Sequence, residues 1–139
     1  MNVEKTVYRG SAGLAVSCWG RQYIFTAASV FPTQIISQGQ ELLSAPIVLA
    51  IQGMAAPSAA ISPELPKVSI GPLAADDERV TFQAAAGMLE AEITIEFDGY
   101  LWADVCLAGT GSVGKADLII PMTSATARYY NFGESGWDL

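Results

Sequence analysis

Between Glu92 and Phe97 polar and apolar residues alternate without a break, and this stretch limits the fold more than any other. Ile93, Ile95 and Phe97 point one way, and Glu92, Thr94 and Glu96 the other. A period of two marks a strand with one buried and one wet face. Asp98-Gly99 follows as a turn, because glycine reaches positive φ at no steric cost. A second alternation then sets Leu101, Ala103, Val105 and Leu107 against Tyr100, Trp102, Asp104 and Cys106. The two runs predict a β-hairpin. A strict two-residue turn would place Phe97 opposite Tyr100 and mix the two faces. A loop longer by one residue, with Phe97 opposite Leu101, sorts them. Since a slip of one residue flips every side chain, the longer loop or a bulge is expected. The outer face then carries Glu92, Thr94, Glu96, Trp102 and Asp104.

The remaining chain reads as short strands punctuated by Gly and Pro. Strands are expected at Val7–Arg9, Leu14–Trp19, Gln22–Thr26, Thr33–Ser37, Ile47–Ile51, Lys67–Ile70, Arg79–Ala85, Met88–Phe97, Lys115–Ile120 and Ala125–Tyr130. Trp19-Gly20-Arg21 is either a tight hairpin or a bulge in one long strand. Ile47–Ile51 is apolar enough for a core strand, and Gly71-Pro72 is expected to end the strand before it. Gly53–Pro66 reads as a long Ala/Pro/Ser connection, Gly109–Gly114 as a turn, and Asn131–Leu139 as a tail. No convincing helix interrupts the series. The fold class is all-β: an antiparallel two-sheet β-sandwich of about nine to eleven short strands.

Composition narrows the function. A chain of 139 residues fits one domain, residues 1–139. Fourteen acidic residues against seven basic ones give a net charge of −7, with no basic run. Nucleic acid and anionic membrane are therefore unexpected partners. No apolar run is long enough to span a bilayer, and no signal peptide opens the chain. Histidine is absent, so neither a Ser-His-Asp nor a Cys-His arrangement can be assembled from this chain. Two cysteines without histidine cannot close a structural zinc site, and no metal or other cofactor is expected. Cys18 and Cys106 read as buried thiols packing as small apolar groups, ahead of a disulfide.

Four ordered blocks carry a resemblance. They are Ser17–Arg21 (SCWGR), Ile36–Ile47 (ISQGQELLSAPI), Glu96–Trp102 (EFDGYLW) and Val113–Pro121 (VGKADLIIP). Together they resemble the N-terminal β-sandwich domain of large bacterial glycoside-hydrolase-like proteins, a supersandwich of the galactose-mutarotase-like and carbohydrate-binding type. In those proteins a (β/α)-barrel follows. The likeness spans about Val16 to Tyr130, and no barrel follows here. It implies a non-catalytic accessory module, a fragment or stand-alone copy of a larger and often exported protein. Such a module packs on a partner domain or contributes to carbohydrate binding. The alternative is a purely structural or self-associating module without a ligand.

Trp102 with Asp104, Glu96 and Tyr100 is the leading site, because sugar rings stack on aromatic planes and carboxylates accept hydrogen bonds from hydroxyls. The competing readings are an interface with a partner domain or second copy, or a plain solvated sheet face. Trp19 and Arg21 could stack and hydrogen-bond a ligand. The structural reading, with Trp19 in the core and Arg21 bonding carbonyls, is preferred. Glu92, Glu96 and Asp104 could be read as a glycosidase's paired carboxylates, but a flat sheet face neither encloses a sugar nor desolvates an acid. The chain is not expected to be an enzyme.

Overall fold

A computed structural model describes residues 1–52, 68–108 and 113–127. Strands dominate them. The first sheet is a meander of β1 (Asn2–Tyr8), β2 (Ser11–Cys18), β3 (Arg21–Thr26), β4 (Gln34–Ser37) and β5 (Gln40–Glu41). After β6 (Val48–Gln52) comes a second meander of β7 (Ser69–Ala75), β8 (Arg79–Ala86), β9 (Leu89–Glu96) and β10 (Leu101–Leu107). The last strand, β11 (Lys115–Ile119), pairs with β6 in a separate two-stranded ribbon. Every strand pair is antiparallel.

The first sheet owes its meander to one repeated turn. Arg9-Gly10, Trp19-Gly20 and Gln38-Gly39 each join paired strands through two residues, and both residues of each pair have positive φ. Such a turn matches the right-handed twist of its strands, and glycine at the second position carries it cheaply. In the second sheet Gly87-Met88 joins β8 to β9, with Gly87 at φ 62.

The two sheets pack face to face through residues of alternating parity. Val16 and Phe25 come from the first sheet, and Val80, Phe82, Ile93 and Ile95 from the second, all at most 1% exposed. Phe25 and Phe82 meet edge to face, with ring centroids 4.9 Å apart and planes at 83°. Val30, Phe31, Leu43 and Ile47, from the segments flanking β4 and β5, join the same core. Gln34, buried beside it as Thr26 and Ser29 are, is fully satisfied. The side-chain Oε1 accepts from the Leu43 and Ile35 amides, and Nε2 donates to the Leu43 carbonyl and the Tyr8 hydroxyl.

Several expectations need correction. The hairpin loop has three residues, but it is placed two positions from the expected register. Ile95, not Phe97, stands opposite Leu101, and Phe97 lies in the turn, 59% exposed. The first strand runs over Asn2–Tyr8 rather than Val7–Arg9. Gly71-Pro72 does not end β7; the strand continues to Ala75 through a register shift between Ile70 and Leu73. That is tolerable because β7 is an edge strand, where proline's missing donor faces no partner. The apolar run at Ile47 divides: Ile47 and Leu49 pack on the core, while β6 itself lies in the ribbon. Residues 125–127 form a helical turn, not a strand, with the Ala127 amide donating to the Thr123 carbonyl. The rest of that expected strand, the Gly53–Pro66 connection, residues 109–112 and the tail lie outside the described residues. Cys18 is buried as expected, but Cys106 is exposed on the outer face of β10, and the two are unpaired.

Gly13 shows how closely β2 approaches β3. A β-carbon there would overlap the Phe25 carbonyl oxygen, which cannot move without breaking the ladder, whereas one at Gly20 would meet nothing. Gly13→Ala is therefore expected to cost ~2 kcal/mol or more in urea unfolding. Gly20→Ala should cost about 1 kcal/mol, for its left-handed backbone alone. Equal losses at the two positions would contradict this register.

Candidate functional site

The outer face of the second sheet is built from β8, β9 and β10, whose core-facing residues are apolar and whose alternate residues are mostly polar. Cross-strand pairing arranges the outward side chains in rows. Trp102 stands opposite Thr94, which stands opposite Thr81, and the two threonine hydroxyls are 3.1 Å apart. On one side lies the row Asp104–Glu92–Gln83. On the other lie Tyr100, Glu96 and Arg79, where the Glu96 amide donates to the Tyr100 carbonyl at 2.9 Å. The sheet thus brings Trp102, Tyr100, Asp104 and Glu96 onto one face, as their spacing suggested.

Tyr100 and Trp102 are the prominent pair. They are 54% and 55% exposed, and their rings lie 5.0 Å apart, inclined at 52°. Beside them the sheet bears a shallow depression of about 490 Å³, lined by Gln83, Glu90, Glu92, Asp104 and Cys106 among others, with no Lys or Arg among the described residues of its lining. Glu92 and Asp104 stand directly opposite each other and are both exposed. Like charges so placed disfavour the strand pair slightly and leave the face rich in acceptors. Among the described residues no group of three or more His, Cys, Asp or Glu side chains is placed to hold a metal.

The hairpin turn beneath Tyr100 is fixed from several sides. Gly99, at φ 84, closes the three-residue loop Phe97-Asp98-Gly99 and donates its amide to the Glu96 carbonyl. Asp98 Oδ1 accepts the Tyr100 amide at 3.0 Å. The Phe97 amide donates to the Glu78 carbonyl at 2.7 Å, tying the loop to the β7–β8 turn. From the opposite sheet, the Tyr23 hydroxyl donates to the Gly99 carbonyl at 2.6 Å, and Arg21 Nη1 donates to the same oxygen at 3.3 Å.

Arg21 therefore bonds a carbonyl, which is the structural role preferred for it. Trp19 does not follow the same reading. It is not in the core but at the tip of the β2–β3 turn, 84% exposed. The Arg21–Gly99 contact brings its turn to the hairpin end of the sandwich without placing it on the sheet face with Trp102. Sequence reasoning passed over Gln83 and Glu90, and although it placed Gly99 in the turn it did not join it to Tyr23. The alternation of Arg79, Thr81 and Gln83 with Val80, Phe82 and Ala84 contained the signal for Gln83. Nothing local announced the contact between Tyr23 and Gly99.

Comparison with known protein families, curated proteins and solved structures finds no match to this chain.

Burial pushes the Tyr23 phenol above its usual value, against the opposing pull of the Arg21 guanidinium, and burial likewise raises the Cys18 thiol. A proton held more tightly when folded gives stability that is complete below the unfolded value and declines as pH rises through the folded one. For Tyr23 the loss begins near pH ~10 and continues above it. Tyr23→Phe should cost about 1 kcal/mol at neutral pH. It should also flatten the alkaline decline of stability, measured by urea unfolding between neutral and strongly alkaline pH. An unchanged alkaline slope would remove Tyr23 from that role.

Proposed function

We propose that this domain is a non-catalytic accessory module of carbohydrate-processing machinery, and that it contributes to glycan binding through the outer face of its second sheet. The observation that carries this reading is the half-exposed Tyr100–Trp102 pair beside an acceptor-rich depression. An aromatic ring offers a sugar a flat, electron-rich surface for its C–H bonds. Asp104, Glu92 and Glu96 can accept hydrogen bonds from hydroxyl groups, and Gln83 can donate as well as accept. The carboxylates of this face also disfavour anionic polysaccharides, so a neutral or amine-bearing glycan suits it better. The resemblance to sandwich domains that precede glycoside-hydrolase-like barrels agrees with this chemistry.

A second reading, a structural or self-associating module without a ligand, is favoured by the β6–β11 ribbon. Leu118 and Ile119 of β11 and Ile120 just past it are 54%, 46% and 51% exposed, more apolar surface than a short ribbon ordinarily leaves to water.

Affinity electrophoresis against a panel of neutral and amine-bearing polysaccharides separates the two. The sugar reading expects retardation by at least one of them, weakened about tenfold or more by Trp102→Ala. Asp104→Asn should give a smaller loss. Unretarded migration on every polysaccharide, with a dimer by light scattering, would replace it with the self-associating module.

A further inference from the structure

A different part of the surface presents exposed aromatics that the sheet face does not explain. Several turns meet at one end of the sandwich. The Gln38 amide donates to the Gly20 carbonyl at 3.0 Å, which joins the β4–β5 and β2–β3 turns. Arg21 reaches from the second of these to Gly99, and the Phe97 amide reaches the β7–β8 turn at Glu78. From this end Trp19 and Phe97 project into solvent, 84% and 59% exposed.

Trp19 is unusual in backbone as well as exposure. Its φ is 34, in the left-handed region that bulky side chains avoid. The first positions of the two sister turns, Arg9 and Gln38, have φ of 47 and 50 and are polar. The turn geometry therefore asks for no aromatic, and no aromatic stacking contact holds Trp19 among the described residues. An exposed large apolar side chain held in a disfavoured conformation points to a role outside the fold.

The charges around the two aromatics indicate the kind of partner. Asp76, Asp77, Glu78 and Asp98 lie in the two turns beside Phe97, all exposed. Among the described residues the nearby cations are engaged: Arg21 with the Gly99 carbonyl, and Arg79 with Asp76 at 4.0 Å. An acidic rim around apolar tips repels anionic lipid, nucleic acid and a second copy of a chain carrying −7. It complements a basic protein surface. We propose that this turn cluster docks onto a partner protein, with Trp19 and Phe97 entering an apolar pocket rimmed by Lys and Arg. Such anchors carry most of the energy of an interface, and the charged rim guides the approach.

The test uses isothermal titration calorimetry of the full chain with two synthetic peptides, one alternating Leu and Arg, the other alternating Leu and Glu. Phosphatidylcholine vesicles form a third arm. The variant is Trp19→Gln, because glutamine already occupies the equivalent place at Gln38 and keeps the turn; an unchanged melting curve verifies the fold. The Leu/Arg peptide should bind, the Leu/Glu peptide should not, and Trp19→Gln, like added salt, should weaken binding at least tenfold. Glu78→Gln should weaken it less. Equal binding of both peptides, binding of neither, or undiminished binding by Trp19→Gln would overturn the proposal. Partition of the protein onto the vesicles would replace the basic protein partner with a membrane. Because Trp102 and Asp104 take no part, either outcome leaves the glycan reading to its own test.

Discussion

The edge-to-face contact of Phe25 with Phe82 fixes where the two sheets meet. It sits among Val16, Val80, Ile93 and Ile95, all almost fully buried. Neither meander could persist in water with this face open, since a few strands alone are marginal and only burial offsets the entropy of ordering them. The polar face of the second sheet follows from the same constraint. Once Val80, Phe82, Ala84, Ile93 and Ile95 must point inward, Thr81, Gln83, Glu92 and Thr94 have no choice but to point outward. The rows of the candidate site are the other side of the core.

The second dependency is the carbonyl of Gly99. It accepts from a tyrosine and an arginine of the opposite sheet, so the loop beneath Tyr100 is held from outside its own hairpin. A β-carbon at Gly99 would lie 2.8 Å from Arg21 Nη1, so glycine serves both the left-handed backbone and the approach of that side chain. Platform and turn cluster therefore share one anchor, although they present different residues to solvent.

Much of this was legible in the sequence, and the failures have identifiable causes. Strict alternation gave away β9 and β10 because a half-buried strand has no other way to be built. It could not give the register, since shifting by two residues preserves the sorting of the faces. Gly99, not the alternation, chose the pairing of Ile95 with Leu101. The inference that Trp19 lies in the core followed its hydrophobicity, although the tight-hairpin reading of Trp19-Gly20-Arg21 already put its first residue at a tip. Arg9-Gly10, Trp19-Gly20 and Gln38-Gly39 are the same device three times, and in each the first residue is at a tip. Cys106 shares the parity of Trp102 and Asp104, so its exposure was implied by the alternation that placed them. Contacts such as Tyr23 with Gly99 join residues far apart in the chain, and no local pattern records them.

The order of the strands has a consequence of another kind. Each of the two large sheets is assembled wholly from neighbours in sequence, β1 to β5 and then β7 to β10, with no strand exchanged between them; the β6–β11 ribbon alone joins distant strands. Pairing within either large sheet therefore closes short loops, and the long-range events are the docking of one finished surface on another and the closure of the β6–β11 ribbon. In this respect the two halves of the chain meet as subunits do. Their shared core has the character of an obligate heterodimer interface that happens to be covalently joined, with the Gly99 carbonyl as a polar contact across it.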